Sequence, residues 1–281
     1  MPRNASPANV RTHDLRLHVL GSGSKGNCSI VEGPEGLVMI DEGLSRKAAL
    51  ERMAQLGLDP NEVCALILTH EHSDHTNGLP VWFKKYPCPI YASEGTVEAR
   101  AKICDLPHEV FAPGDTPRLA GMRVRTFSIS HDVTNPVGLA FSTDTDQVGY
   151  VTDTGHLPAE AADVLRGSRI LALESNHDVH MLKTGDYPAM LQERILSDRG
   201  HLSNDQAAQA AQELVTLRTE ALVAMHISQE NNRPSIAIRS LAASLGAALD
   251  DELGTSATLE REEAPRLRIV PAGQNRPISV S

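Results

Sequence analysis

Four side chains able to hold a metal ion fall within six residues of this chain. They are His70, His72, Asp74 and His75, in the run Thr69-His70-Glu71-His72-Ser73-Asp74-His75. Three are imidazoles, and twelve histidines dispersed over 281 positions would rarely cluster in this way. Imidazole nitrogens and carboxylate oxygens suit zinc, and also manganese or iron. Packing so many of them without a cation would leave polar groups unpaired. At an extended strand end side chains alternate, so His70 and His72 face one side and can share an ion. A turn through Ser73 then aims Asp74 and His75 at a neighbouring point, a spacing for two adjacent ions rather than one. The metalloprotease pattern H-E-x-x-H does not fit. Asp74 stands where its second histidine belongs, and the run follows a strand instead of lying in a helix.

A second motif, Gly21-x-Gly23-x-x-Gly26, matches the dinucleotide-binding fingerprint by letter. That fingerprint works only where a helix opens at the loop and meets the pyrophosphate with its N-terminus. Here Cys28-Ser29-Ile30-Val31-Glu32 follows, which reads as a strand, and no helix starts before about Ser45. The loop is expected to be a tight turn with close backbone approach. The alternative is that its amides, with Ser24, Lys25 and Asn27, line an anionic substrate site.

The elements that must position these residues can be read from apolar patterning. Strands are expected over 15–20, 28–32, 37–40, 64–68, 90–92, 123–129, 138–142, 147–152, 169–173, 221–225 and 266–270. Helices are expected over 45–56 with Ser45 as N-cap, and near 96–103, 159–165, 187–196, 204–217 and 235–249. A strand-rich first half followed by a second half of similar grammar fits α+β layering better than a purely parallel sheet.

With 41 % hydrophobic and 22 % charged residues, the chain has the composition of a globular protein. No apolar run reaches the ~20 residues of a membrane span, and residues 1–14 carry no apolar leader. No membrane partner is therefore expected. Cys28, Cys64, Cys88 and Cys104 are widely spaced and read as free thiols, which favours a reducing cytoplasm over a disulfide framework or a thiolate zinc site. The net charge of −10 excludes a broad basic surface for coating nucleic acid. Half of it lies in one stretch, 250–263, so a local phosphate site centred on bound cations stays open.

The run His70, His72, Asp74, His75 resembles the signature H-x-H-x-D-H of the metallo-β-lactamase superfamily. The resemblance covers about 15–270 and implies further ligands at the ends of later strands. His131, Asp153 and His226 stand at those places. Within the superfamily the chain is similar to the YycJ/WalJ-type branch, exonuclease-like and related to ribonuclease Z. The similarity rests on Gly21 to Asn27, Glu174-Ser175-Asn176-His177-Asp178, Gly200-His201-Leu202-Ser203-Asn204, and the run from His226 to Asn232. It implies a four-layer αβ/βα sandwich, with two mixed β-sheets flanked by helices. A single domain is expected over 15–271, between a flexible arm at 1–14 and a flexible tail at 272–281.

The resemblance further implies two divalent ions, with His70, His72 and His131 on the first. Asp74, His75 and His226 would hold the second, with Asp153 bridging. A water shared by two ions ~3.5–4 Å apart becomes a hydroxide nucleophile, and the ions neutralise charge on a phosphoryl group. Asp74 could also orient that nucleophile. His201 precedes a capping-box sequence, Ser203 to Gln206, and so sits where a helix N-terminus attracts anions. It is the candidate for an acid at the leaving oxygen. Asn231, Asn232, Arg233, His177 and Asp178 are candidate substrate or supporting residues, and Asp41 is expected to orient a ligand histidine. His13, His18, His108, His156 and His180 read as structural or surface residues.

The expected activity is metal-dependent phosphodiester hydrolysis on DNA or RNA by a monomer or homodimer. Two alternatives share the metals: hydrolysis of a small ester, lactone, thioester or cyclic nucleotide, or metal binding without catalysis. Arg194, Arg199, Arg233 and Lys25 discriminate, because basic groups at the cleft favour a phosphodiester.

Overall fold

The computed structural model describes residues 15–281; the expected arm at 1–14, with His13, lies outside them. Sixteen strands form among the described residues: β1 (Arg16–Gly21), β2 (Cys28–Gly33), β3 (Gly36–Ile40), β4 (Val63–Ile67), β5 (Ile90–Ser93), β6 (His108–Phe111), β7 (Arg118–Leu119), β8 (Met122–Ser128), β9 (Val137–Ser142), β10 (Gln147–Val151), β11 (Ile170–Glu174), β12 (Ala221–Met225), β13 (Ala248–Leu249), β14 (Ala257–Leu259), β15 (Leu267–Pro271) and β16 (Ile278–Val280). They make two mixed sheets, in the orders β16-β1-β2-β3-β4-β5-β6 and β13-β14-β15-β12-β11-β10-β9-β8-β7.

The central strands are apolar on both faces because both faces are covered. Every residue of β11 and of β12 is buried, as a strand sandwiched between layers requires. Val19, Ile40, Phe141, Tyr150 and Val223 meet between the sheets. The outer face of the second sheet packs on the helices Ala159–Leu165, Asn204–Leu214 and Pro234–Leu245 through Leu165, Leu171, Leu214, Leu222 and Leu241. Met39, Met53, Leu66 and Trp82 fill the outer face of the first sheet beneath the helices Arg46–Leu56 and Leu79–Phe83. The layer order is helix, sheet, sheet, helix, the expected sandwich.

Strand direction positions the site. β3 to β6 run parallel, as do β10, β11, β12 and β15. β8 is antiparallel to β9, and β9 to β10, so β8 and β10 end on the same edge. The segments leaving β3, β4, β8, β10, β11 and β12 carry Asp41, His70 to His75, His131, Asp153, Glu174 to His177 and His226. Side chains at carboxyl ends of strands converge in such sheets.

Several expected boundaries shift for local reasons. Ser45 caps its helix as expected, accepting from the Ala48 amide at 3.2 Å. The expected helix over 96–103 is two short ones, Glu94–Glu98 capped by Ser93 and Ala101–Cys104. The one over 235–249 ends at Leu245 because Gly246 turns left-handed at φ 71°. An additional helix, Val179–Thr184, starts at Asp178, whose carboxylate accepts from the Met181 amide at 2.8 Å.

The last ten residues are not a free tail. β16 pairs with β1 through Leu17, His18 and Val19. Gln274 is buried, taking the Lys25 amide at 2.9 Å and donating to the Gly26 carbonyl at 2.8 Å. The pattern of 278–280 is too short to read as a strand alone; its partner edge supplies the order.

Candidate metal centre

Three residues of the site, Asp41, Asp153 and His226, hold left-handed backbone at φ 57°, 60° and 51°. Non-glycine residues adopt this region only where the surroundings fix it, and such strain gathers at functional sites. Here the kink after each strand turns the side chain toward a common point.

His70, His72 and His131 form the first group. The His72 Nδ1 lies 3.2 Å from His70 Nε2 and 3.2 Å from His131 Nε2. The His131 Nδ1 donates to the Gly200 carbonyl at 3.1 Å, leaving its Nε2 without a proton. Burial lowers the pKa of all three, so they are neutral and offer lone pairs. Three imidazole nitrogens pointed at one spot repel unless a cation sits among them.

Asp74, His75 and His226 form a second group, whose ligand atoms lie within 4.8 Å of one another. Asp153 stands between, with Oδ2 at 3.4 Å from His75 Nε2 and Oδ1 at 3.2 Å from His226 Nδ1. It also shares a group with His70 and His75. Burial opposes charge on His75, yet the carboxylates of Asp153 and Asp41 raise it to about 9. His226 is raised likewise, against burial, by Asp153, Asp74 and Glu174. Burial would raise Asp74, but His226 and His75 hold it well below the usual range.

Two buried atoms decide whether the residues fit an ion. Asp153 Oδ2 and His226 Nε2 have no hydrogen-bond partner. Most buried polar atoms in proteins are paired, and where these two point toward the same cluster a cation is the partner that carboxylate and imidazole share. Glu174 groups with Asp153, His201 and His226 too, but it is already satisfied. Its Oε1 takes His201 Nδ1 at 2.7 Å and His226 Nδ1 at 3.2 Å, while Oε2 takes the Thr154 amide at 2.8 Å and the Leu202 amide at 3.3 Å. Glu174 therefore orients its neighbours.

Asp41, the expected orienting carboxylate, lies against His75 and Thr69. Its carboxylate meets His75 Nδ1 at 2.8 Å and accepts from the Thr69 amide and hydroxyl, each at 2.8 Å. The glycine loop supports the cluster from below. Ser22 Oγ accepts from the His226 amide at 2.7 Å, and Asn27 donates to Asp74 Oδ2 at 3.2 Å. Close approach explains the neighbouring glycine, Gly43, where a Cβ would stand 1.6 Å from the Asp74 carbonyl oxygen.

A cavity of about 330 Å³ opens over the cluster, lined by Ser24, His72, Asp74, His131, Asp153, His201 and His226 on one side. Asp132 and Arg194 border it as an ion pair. Arg199 does not line it; its guanidinium donates to the backbone carbonyl of His131 at 3.2 Å. His201 lines the cavity just before Ser203, whose capping box with Gln206 forms as expected.

Other expected substrate residues are placed differently. Asn27 is buried against Asp74 and His75 rather than open to a substrate. The Lys25 side chain is exposed and does not line the cavity. Asn232 is buried and ties the Ser175 and Asn176 carbonyls at 3.0 Å, with Asn204 beside it. Asn231 is buried as well, and its carbonyl accepts the Asp178 amide. His177 is buried away from the cavity lining, and burial lowers it to about 4. Arg233 is exposed at the start of the Pro234–Leu245 helix. Asn27 and Asn232 hold loops together because irregular backbone behind the site needs side-chain partners. Asp132 and Tyr187 were not singled out in the sequence, and Glu174 stood within a motif without a role of its own. The position of Glu174 at a strand end, like that of Asp41 and Asp153, is the signal that could have found it.

Comparison with known proteins agrees with the geometry. A sequence profile described as Beta-lactamase superfamily domain matches residues 38–227. Exodeoxyribonuclease YycJ of Bacillus anthracis is 37 % identical over 227 residues, covering 79 % of this chain and 86 % of that protein. Exodeoxyribonuclease WalJ of Streptococcus pneumoniae is 34 % identical over 229 residues, covering 79 % and 85 %. Among solved structures, the metallo-beta-lactamase fold protein YhfI from Bacillus subtilis aligns over 95 % of this chain and all of its own, with a TM-score of 0.66 and 13 % identity. That last likeness concerns the fold alone.

Proposed function

The chain belongs to the β-lactamase superfamily, and from that membership we propose that it is a metal-dependent nuclease hydrolysing phosphodiester bonds at a nucleic-acid end. The observation that carries this is the convergence of His70, His72, His131, Asp74, His75 and His226 around the shared Asp153, beneath a cavity edged by Arg194. The related exodeoxyribonucleases support the substrate class.

His70, His72 and His131 would hold one divalent ion, and Asp74, His75 and His226 a second, with Asp153 between. Imidazole and carboxylate donors make zinc the first choice, with manganese or iron as alternatives. Such ions supply an acidified water and neutralise phosphoryl charge. Asp41 fixes the proton of His75 on Nδ1, so that Nε2 faces the site. Asp132 sits beside His72 and His131 at 3.7 and 3.4 Å, steadied by Arg194. His201 is the group placed to donate a proton to the leaving oxygen. Glu174 accepts from its Nδ1 at 2.7 Å and fixes the ring, which leaves Nε2 as the nitrogen able to donate into the cavity. Arg194 at the cavity edge attracts the phosphodiester backbone.

No helix of the described residues is long and apolar enough to cross a membrane. The four free cysteines fit a reducing cytoplasm. The test is incubation with end-labelled single- and double-stranded DNA and RNA plus zinc or manganese. Release of mononucleotides that stops on chelation is expected, and its absence on every substrate refutes the reading.

A further inference from the structure

The far wall of the cavity is unlike the metal side. It is built by Tyr187, Leu191 and Ile195, with Arg194 beside them. Residues 187, 191 and 195 are four apart, so on the helix Ala189–Leu196 and the turn before it they form one stripe. An apolar stripe on a helix ordinarily packs into a core. This helix buries none of its residues, and its stripe faces the cavity. Tyr187 is fixed from behind, where Gln192 Nε2 donates to its carbonyl at 2.8 Å.

The aromatic inventory makes this position unusual. Trp82, Phe127, Phe141 and Tyr150 are fully buried in the cores. Of the chain's nine Phe, Trp and Tyr residues, Tyr187 alone borders this cavity. The ring is half-buried, and desolvation with the nearby Glu230 raises its hydroxyl, so it is neutral at physiological pH. A neutral aromatic ring opposite a phosphate-binding centre matches the two parts of a nucleotide: charge on one side, a flat apolar base on the other. The volume of about 330 Å³ is at the small end for ligand clefts and suits one nucleotide unit rather than a base pair.

Building on the nuclease reading, we propose that Tyr187, with Leu191, seats the nucleobase beside the scissile phosphate. The unit recognised is then an unpaired nucleotide at a strand end. A base inside a duplex must first leave its stack to reach the ring, so single-stranded or frayed ends are the better substrates.

The test uses the metal-loaded full chain, its variants Tyr187→Ala and Tyr187→Phe, and single-stranded oligodeoxynucleotides. One oligonucleotide has ordinary nucleotides at both ends, and another has abasic tetrahydrofuran residues there. On ordinary ends Tyr187→Ala should lower kcat/KM about 5- to 160-fold, the range of base–aromatic stacking, while Tyr187→Phe stays near wild type. On abasic ends the wild type should itself be slowed, and Tyr187→Ala should add no further loss. Terminal 2-aminopurine should be quenched on binding to the wild type and not to Tyr187→Ala. Equal losses on both substrates would make Tyr187 merely architectural, and no loss on ordinary ends would leave it without a role; either overturns the proposal. A wild type that cleaves duplex ends but not these oligonucleotides overturns the preference for unpaired ends, and one inactive on single- and double-stranded DNA and RNA alike refutes the nuclease reading itself, a result distinct from the others.

Discussion

Replacing Asp41 with Asn exchanges one carboxylate oxygen for an NH₂ group and removes one charge, and it separates orientation from ligation. Asp41 touches no substrate; it accepts from the Thr69 amide, the Thr69 hydroxyl and His75 Nδ1, each at 2.8 Å. Its φ of 57° suits asparagine, so the backbone should hold. The Asn oxygen can still take the Thr69 amide. Its NH₂ group then confronts His75 Nδ1, which can accept only if the proton moves to Nε2, and that removes the lone pair facing Asp153. A lost hydrogen bond to a charged, buried partner costs about 1.5–3 kcal/mol. Residues behind metal ligands are worth about 10- to 100-fold in affinity, or about 1.4–2.7 kcal/mol, and the two estimates agree. Zinc titration of chelator-treated protein against a chromophoric competitor measures it. One equivalent should weaken about 10- to 100-fold in Asp41→Asn while the other changes less. Wild-type affinity for every equivalent, in a variant that melts normally, would refute the role given to Asp41.

Two other expectations follow from single contacts. His201→Ala should lower kcat about 10²- to 10⁴-fold with little change in KM, because a general acid acts in the transition state. Glu174→Gln should fall in the same direction, and a KM effect without a kcat effect in steady-state assays would count against the pair. Glu42 is buried with neither carboxyl oxygen hydrogen-bonded, and burial pushes it from the usual 4.5 to about 8 against the smaller pull of Cys28 and Arg52. The folded state therefore keeps a proton that the unfolded chain loses. Stability should decline as pH rises from about 4.5 to about 8, by an amount on the order of several kcal/mol. Glu42→Gln should flatten that slope in urea denaturation at pH 5 and pH 8, both without metal; parallel slopes would disprove the assignment.

The cluster at 70–75 was legible because its chemistry is local: four ligand types in one short run need little tertiary information. His131, Asp153 and His226 were placed by resemblance, and each does follow a strand ending on the shared edge. Strands such as β11 and β12 were readable from unbroken apolar runs, since burial on both faces removes the polar alternation. The substrate residues were less legible. Asn27, Asn231, Asn232 and His177 look functional in a list of polar residues, but their burial and partners depend on loops brought together from distant parts of the chain. Tyr187 was passed over for the opposite reason. Its stripe has the spacing of an ordinary amphipathic helix, and only the fold shows that a cavity, not a core, lies against it. The 278–280 strand was hidden because it is short and its order comes from the β1 edge.

Metal content at saturation tests the centre most directly. After chelation, reloading with zinc and dialysis, elemental analysis should find two equivalents per chain in the wild type. In Asp153→Ala both should weaken, because that side chain stands between the two groups. A folded wild type that retains one equivalent or none would contradict the two-ion centre.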